Sequence, residues 1–222
     1  MQKHLIPGSI GLVVGLIVGF AVANSLNRAG SRTEQPMIVT GQVAQPANGQ
    51  PAAGMQPDVA ETIQKAESDP ENFPAQMRAG DMFARIGKFD RAIEFYRKGL
   101  AIEPKDFKGN VVLANALFDA GKFEEASKVY ENALAIDPSD PDVRTDHGAS
   151  LVERASPDYA SAIKEFEKVL EKSPKHEPAL YYLGLAYYRS GDQTNAQKTL
   201  ARLESANPAS DLIKRLKENY TK

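Results

Sequence analysis

Between residue 58 and the end of the chain, apolar residues recur at helical spacing in paired stretches that short polar breaks separate. In one such stretch, Ala92, Ile93, Tyr96 and Leu100 fall on the same face of a helix. Neither stretch of a pair can bury such a face alone, so each needs neighbours on both sides. The pattern therefore predicts an all-α domain made of stacked helix pairs.

The pattern returns with a nearly fixed period. Residues 87–104 (GKFDRAIEFYRKGLAIEP) come back as residues 121–138 (GKFEEASKVYENALAIDP), 34 positions later. Each unit closes at a proline, which ends a helix, and these prolines are 34, 34, 36 and 34 residues apart: Pro70, Pro104, Pro138, Pro174 and Pro208. Gly87, Gly121 and Gly191 are suited to the break inside a pair, where a left-handed residue ends the first helix. Such a period indicates a repeat architecture.

The units resemble the tetratricopeptide repeat in their length, their closing proline and two small residues. The eighth position of the repeat holds Gly80, Ala114, Gly148 and Gly184, and the twentieth holds Ala92, Ala126, Ala162 and Ala196. The resemblance implies a right-handed α-solenoid with repeats at 73–106, 107–140, 141–176 and 177–210. We expect capping helices at 58–72 and 211–222, because the two ends of such a stack must face water.

Three features depart from the family pattern. The large aromatic residue of the fourth position is replaced by Gln76, Asn110, Arg144 and Leu180. The third repeat has a two-residue insertion at its break, and His147 stands where leucine is usual. We interpret His147 as a partly buried, hydrogen-bonded structural residue, because no second histidine stands at metal-ligand spacing.

The N-terminal part of the chain is apolar. After a short tail at 1–4, residues 5–23 contain no charged side chain, and as a helix they would be ~28 Å long, close to the thickness of a bilayer's hydrocarbon core. A cleaved signal peptide ending at Ala21-Val22-Ala23 is the alternative. The length of the run favours a retained transmembrane helix. Because either segment would translocate the rest of the chain, we expect a single-pass membrane protein whose repeat domain is extracytoplasmic (periplasmic).

Two further features precede the repeats. Gly11, Gly15 and Gly19 share one helix face, which is typical of seams through which membrane helices associate, although glycine is common in membrane helices generally. Residues 24–57 are rich in Gln, Pro, Gly and Ala and cannot bury enough apolar area to offset their ordering entropy. This composition predicts a disordered linker between the bilayer and the repeats.

Composition excludes several functions. The net charge of -2 argues against a nucleic-acid binder, and the absence of cysteine excludes disulfides and cysteine-ligated zinc. The sequence has no phosphate-binding loop, no nucleophile elbow and no dinucleotide fingerprint. We therefore predict no enzyme activity, no cofactor, no metal and no small-molecule substrate.

The resemblance also implies a partner-binding groove. In this family, ligand contacts come from the first helix of each pair, mainly from the second, fifth, ninth, twelfth and thirteenth positions of the repeat. Carried over to this sequence, these positions give a predicted groove of Met77, Asp81, Arg85, Lys108, Val111, Asn115, Phe118, Asp119, Asp142, Thr145, Ala149, Val152, Glu153, Tyr181, Leu185, Tyr188 and Arg189.

The charges in this groove limit its ligand. Some family members bind a peptide's terminal carboxylate through basic and amide side chains, but the corresponding positions here hold Met77, Asp81, Asp142 and Asp146, which would repel it. The predicted groove has an acidic middle and a tyrosine-rich C-terminal end, so a protein segment with basic and apolar residues would fit. The alternative is that the tyrosines only pack the fourth repeat against its cap.

These features together favour a membrane-tethered scaffold that binds a segment of a partner protein and aids assembly of an envelope complex. Two alternatives stay open: a self-associating protein that clusters its partners as a homo-oligomer, and a tetratricopeptide subunit of cytochrome c maturation. A third is an accessory subunit that acts allosterically on a partner enzyme. A fold of this kind hosts many functions, so the sequence does not choose among the pathways.

Overall fold

The computed structural model describes residues 57–221, with side chains from residue 59 onward. The predicted tail, transmembrane helix, glycine seam (Gly11, Gly15 and Gly19) and nearly all of the linker lie outside the described residues and stay predictions. No helix within 57–221 combines the length and apolarity needed to cross a bilayer.

The described chain folds into ten α-helices and no strand, which confirms the all-α prediction. The helices are α1 (Pro57–Ser68), α2 (Phe73–Arg85), α3 (Phe89–Ile102), α4 (Phe107–Asp119), α5 (Phe123–Ile136), α6 (Pro141–Glu153), α7 (Tyr159–Lys172), α8 (Glu177–Arg189), α9 (Gln193–Ala206) and α10 (Asp211–Asn219).

The helices form antiparallel pairs that stack in chain order. We call α2, α4, α6 and α8 the first helices and α3, α5, α7 and α9 the second helices of repeats 1 to 4. Each helix from α1 to α9 packs against the next along the chain, and each first helix also contacts the next first helix, with α10 continuing that row. No comparable contact between successive second helices is found within 57–221. The first helices therefore form one continuous surface, which we call the inner face.

Local chemistry explains where the helices end. Gly87, Gly121 and Gly191 have φ of 72°, 74° and 89°, the left-handed conformation that glycine adopts without strain, as predicted for the three breaks. Repeat 3 has no such glycine: there, the Asp158 N–H donates to the Leu151 carbonyl across the longer turn (3.0 Å). Most N-termini are capped by a side-chain acceptor, a contribution of about 1 kcal/mol each.

Small residues let the two helices of a repeat approach closely. A Cβ atom on Gly148 would lie only 2.5 Å from the ring of Phe166, which is fully buried on the second helix of repeat 3. The equivalent Cβ on Gly80 would overlap the ring of Tyr96 in the same way. In repeats 1 and 3 the glycine of the eighth position is thus required by an aromatic ring from the paired helix, whereas a Cβ on Gly184 of repeat 4 would meet Leu216 of α10.

The polar residues at the fourth position have a shared structural role that the sequence did not reveal. Asn110 donates to the Pro104 carbonyl (3.1 Å) and Arg144 to the Pro138 carbonyl (2.7 Å), each six residues back. Gln76 donates to the Ala66 carbonyl (2.6 Å) at the end of α1. These donors satisfy carbonyls left over where the preceding helix ends. Repeat 4 lacks the bond, because its fully buried Leu180 has no donor.

The buried apolar residues form two clusters. One runs from Ala66 in α1 to Val143 at the start of α6, and the other from Leu151 near the end of α6 to Leu216 in α10. The middle of α6 belongs to neither cluster. It contains His147, which is buried as expected, but both of its ring nitrogens lack a hydrogen bond. The prediction of a hydrogen-bonded histidine is therefore wrong: Nε2 lies 3.4 Å from Glu131 Oε1 without hydrogen-bond geometry.

Candidate partner-binding site

The predicted groove residues all lie on the first helices, but they differ in how much surface they offer a partner. Five side chains are exposed: Asp81, Arg85, Lys108, Asp142 and Arg189. Seven are partly buried: Met77, Val111, Asn115, Phe118, Asp119, Glu153 and Tyr188. The remaining five are buried, so they offer a partner almost no surface: Thr145, Ala149, Val152, Tyr181 and Leu185.

In repeats 1 and 2, a tyrosine from the second helix holds the inner-face residue of the ninth position. The Tyr96 hydroxyl donates to Asp81 Oδ1 (2.8 Å), and the Tyr130 hydroxyl donates to Asn115 Oδ1 (2.6 Å). Both rings are buried. Burial is also the main reason why the pKa of Tyr96 and that of Tyr130 are raised, so both hydroxyls keep their protons for these bonds.

Two of the predicted acidic residues are already engaged by side chains at the two ends of α8, His176 at its N-cap and Arg189 at its last residue. His176 Nδ1 accepts from the Ala179 N–H, so its Nε2 carries the proton and donates to Asp142 Oδ1 (3.0 Å). This hydrogen bond lowers the pKa of Asp142. Glu153 Oε1 lies 3.0 Å from Arg189 Nη1. The charges of Asp142 and Glu153 are thus partly compensated within the chain.

Asp119 on α4 and Asp146 on α6 take part in no ion pair within 57–221. Burial raises the pKa of Asp119 to about 6. The pKa of Asp146 rises to about 7, mainly through burial and further through the charges of Asp142, Asp119 and Asp140. The two carboxyl groups also act on the buried Tyr130 hydroxyl between the helices. They form an acidic centre, Asp119 and Asp146, that a basic group could neutralise.

The tyrosines at the C-terminal end of the inner face pack against the C-terminal cap and against repeat 3. The Tyr188 ring stacks on Tyr220 (4.6 Å between centroids), and its hydroxyl donates to the Tyr220 carbonyl (2.7 Å). Tyr182 stacks on Phe166, and its edge meets the ring of the buried Tyr181. These contacts agree with the packing alternative. Of the four tyrosines on α8, Tyr181 is buried, whereas Tyr182, Tyr187 and Tyr188 keep part of their surface accessible.

A sequence profile of the tetratricopeptide repeat matches residues 84–145 and 154–220, and a second profile of this repeat matches residues 58–107. The first profile alone covers more than half of the chain. The chain belongs to the tetratricopeptide repeat family. This confirms the resemblance seen in the sequence. Proteins of this family are generally non-enzymatic scaffolds for protein–protein interaction.

Solved structures with this repeat architecture agree with the family assignment. The crystal structure of MamA has a TM-score of 0.62 at 21% identity, over 68% of this chain and 86% of that one. MamA from Desulfovibrio magneticus RS-1 has a TM-score of 0.63 at 18% identity, over 69% and 85% of the two chains. PilW, described as a widely conserved type IV pilus biogenesis factor, has a TM-score of 0.58 at 20% identity, over 73% and 78%. At these identities the likeness shows the fold.

No curated protein matches the sequence significantly. No cluster of three or more His, Cys, Asp or Glu side chains within the described part of this tetratricopeptide chain could hold a metal ion.

Sequence reasoning missed part of the inner face of this tetratricopeptide chain. The sequence named Asp146 only as a residue that would repel a terminal carboxylate and did not indicate that it lies near Asp119, and Tyr130 comes from a second helix. Arg215 of α10 lies over the Tyr181 ring, 5.5 Å from its centroid. Nothing in the sequence indicated how far α10 covers the tyrosines.

Proposed function

We propose that the chain is a membrane-tethered tetratricopeptide scaffold whose inner face binds a protein segment that presents basic and apolar side chains. Binding would bring that partner to an envelope complex during assembly. The apolar run at 5–23 supplies the tether, with the repeats on the extracytoplasmic side. No cofactor or small-molecule substrate enters this function.

The acidic centre supports this proposal most directly. Its two carboxyl groups are partly buried and close to one another, and neither has a cationic partner in the described chain. Ionising them is therefore costly. A lysine or arginine side chain from a partner would favour the ionised forms and turn this cost into binding energy. The partly buried Val111 and Phe118 on α4 offer apolar contacts next to the same region.

An assembly role has indirect support. PilW, which has a similar fold, is described as a type IV pilus biogenesis factor. An extended row of first helices that forms one continuous face suits a protein that positions other proteins. The pathway itself is a matter for partner identification.

The direct test uses two synthetic peptides with the same apolar residues, one carrying two arginines and the other two glutamates. We expect the full-length chain to bind the arginine peptide at least tenfold more tightly, and more weakly as salt increases. Asp119→Asn with Asp146→Asn should remove that preference, because a neutral amide forms no ion pair with a guanidinium group. Fluorescence anisotropy of labelled peptides measures both effects.

A matched control carries the same loss of charge on the outer side of the stack, at the exposed residues Glu103 and Glu171. Glu103→Gln with Glu171→Gln should leave the preference for the arginine peptide intact. Equal binding of the two peptides by the unmodified chain would remove the proposed partner chemistry. Protease accessibility of the repeats in intact cells tests the location separately.

A further inference from the structure

Helix α6 differs from the other first helices on the side that faces the interior of the stack. At the fifth, seventh and tenth positions of the repeat, α6 carries Thr145, His147 and Ser150, all of which are buried. The other repeats have apolar residues at the same positions, namely Met77, Ala79 and Met82 in repeat 1, Val111, Leu113 and Ala116 in repeat 2, and Tyr181, Leu183 and Ala186 in repeat 4.

The hydroxyl groups of Thr145 and Ser150 do not join α6 to its neighbours. The Thr145 hydroxyl donates to the Pro141 carbonyl (2.8 Å), and the Ser150 hydroxyl donates to the His147 carbonyl (2.7 Å), both within α6 itself. Bonds of this kind satisfy the hydroxyls but weaken and often bend the helix that makes them. The polar interior of α6 is thus bonded to its own helix and adds little cohesion between repeats.

His147 is the least satisfied residue of this layer. Glu131 of α5 and Glu165 of α7 face it from the two neighbouring second helices, and Arg144 lies one turn away on α6. Burial lowers the pKa of His147, so the ring is neutral at pH 7. Its nitrogens have no well-formed hydrogen bond, and Glu131 Oε1 lies 3.4 Å from Nε2. A buried polar group without a bond is less stable than an apolar group of the same size would be.

The apolar core is interrupted at the same place. The first buried cluster ends at Val143 and the second begins at Leu151, so neither apolar cluster includes the stretch between them, which contains His147. Interfaces with few apolar contacts open at lower free energy than the packed regions on either side. Regions of this kind act as hinges when the flanking parts are well packed.

We propose that the stack of repeats bends at α6, so that repeats 1 and 2 and repeats 3 and 4 move as two more rigid halves. The bending does not depend on the proposed function. Its consequence for binding does rest on that function: α6 carries Asp146 while α4 carries Asp119, so bending changes the spacing within the acidic centre. A partner that bridges the two carboxylates would then fix the angle between the halves.

Spin-label distance measurements can test the bend in the full-length chain, which has no cysteine of its own. The exposed penultimate residues of α1, α3, α5 and α7 occupy equivalent positions: Glu67, Ala101, Ala135 and Glu171. Glu67→Cys with Ala135→Cys spans two repeats without crossing α6. Ala101→Cys with Glu171→Cys spans two repeats and crosses it.

We expect the pair that crosses α6 to give a distance distribution about twice as wide as that of the control pair, because its interval contains the weak layer. His147→Leu, which restores the usual apolar residue, should narrow the wide distribution toward the control. Ser150→Ala gives a second, milder variant if the first disturbs folding, as circular dichroism would show. Equal widths for the two pairs in the unmodified chain would overturn the hinge, as would an unchanged width in both folded variants.

Discussion

Repeats 2 and 3 follow one plan with different chemistry at three linked positions. In repeat 2, Ala114 stands opposite Tyr130, whose hydroxyl donates to Asn115. In repeat 3 the corresponding residues are Gly148, Phe166 and Ala149. The residue on the second helix therefore goes with the polarity of the ninth residue, because a buried tyrosine hydroxyl needs an acceptor and a phenylalanine ring does not. The size of the eighth residue does not follow from it, since repeat 1 combines Tyr96 with Gly80 and repeat 2 combines Tyr130 with Ala114.

The two halves of the domain also differ in the residues that they present at the ninth position. Repeats 1 and 2 present polar ninth residues, Asp81 and Asn115, held in place from behind by tyrosine hydroxyls. Repeats 3 and 4 have the buried Ala149 and Leu185 at that position. An inner face that changes from oriented polar groups to an apolar, tyrosine-covered end has a direction, so a bound segment would have a preferred orientation.

The largest effect on the free energy of unfolding is expected when a single methyl group is added at the eighth position of repeat 3. Gly148→Ala places a Cβ atom against the buried Phe166 ring, which cannot move away. Overpacking of this kind costs about 3 kcal/mol, and the better helix propensity of alanine returns about 1, so we expect a net loss of about 2 kcal/mol. The midpoint of urea unfolding of the full-length chain measures it.

Alanine is native at the equivalent position of repeat 2, which provides the control. Ala114→Gly should cost about 1 kcal/mol through helix propensity alone. If Gly148→Ala instead stabilised the chain, close helix approach would not be the reason for glycine in repeat 3.

A smaller effect is expected from exchanging the aromatic residues. Phe166→Tyr places a hydroxyl beside Ala149, where it has no acceptor, and should cost about 1–2 kcal/mol. Adding Ala149→Asn copies the Tyr130–Asn115 bond and should recover most of that loss. Thermal unfolding of the single and double variants measures the coupling. Equal stabilities for the two variants would show that the positions are independent.

Periodicity made most of this fold predictable. The helical spacing and the nearly regular prolines indicated paired helices, and the eighth-position small residues indicated their close approach. The fourth position was different, because Asn110 and Arg144 bind backbone carbonyls of the preceding repeat. A pattern of side chains does not show which carbonyls are left without a partner where a helix ends, so this inter-repeat bond was not predictable.

The site was less predictable than the fold for a related reason. Helical spacing assigns a residue to a face but does not say how deeply the neighbouring helix covers it. Tyr181 and Tyr188 of α8 are on the predicted face, yet Arg215 of α10 lies over the Tyr181 ring and Tyr220 stacks on Tyr188. Asp146 illustrates the reverse case, since its importance comes from the nearby Asp119 of another repeat. Such pairings depend on the stacking geometry, which one repeat's sequence does not contain.

The subtlest expected effect compares the acidic residues of repeats 2 and 3 by pH. The pKa of Asp146 is raised from 3.8 to about 7, so the fold favours its protonated form. The stability that this preference provides is complete below pH 3.8 and is lost as pH rises through 7. Asp146→Asn should therefore match the unmodified chain at pH 4 and exceed it by about 1 kcal/mol at pH 8, after allowance for solvent screening.

Two further variants sharpen this test. Asp119→Asn should gain its advantage earlier, around pH 6, because the pKa of Asp119 is raised only to about 6. Asp142→Asn should have the opposite sign, since the His176 hydrogen bond lowers the pKa of Asp142 and stabilises the fold above its ordinary pKa. Melting temperatures at intervals from pH 4 to pH 8 measure all three. The two variants at Asp146 and Asp142 could instead shift stability in the same direction at neutral pH. That result would show that Asp146 does not differ electrostatically from Asp142, which is hydrogen-bonded to His176.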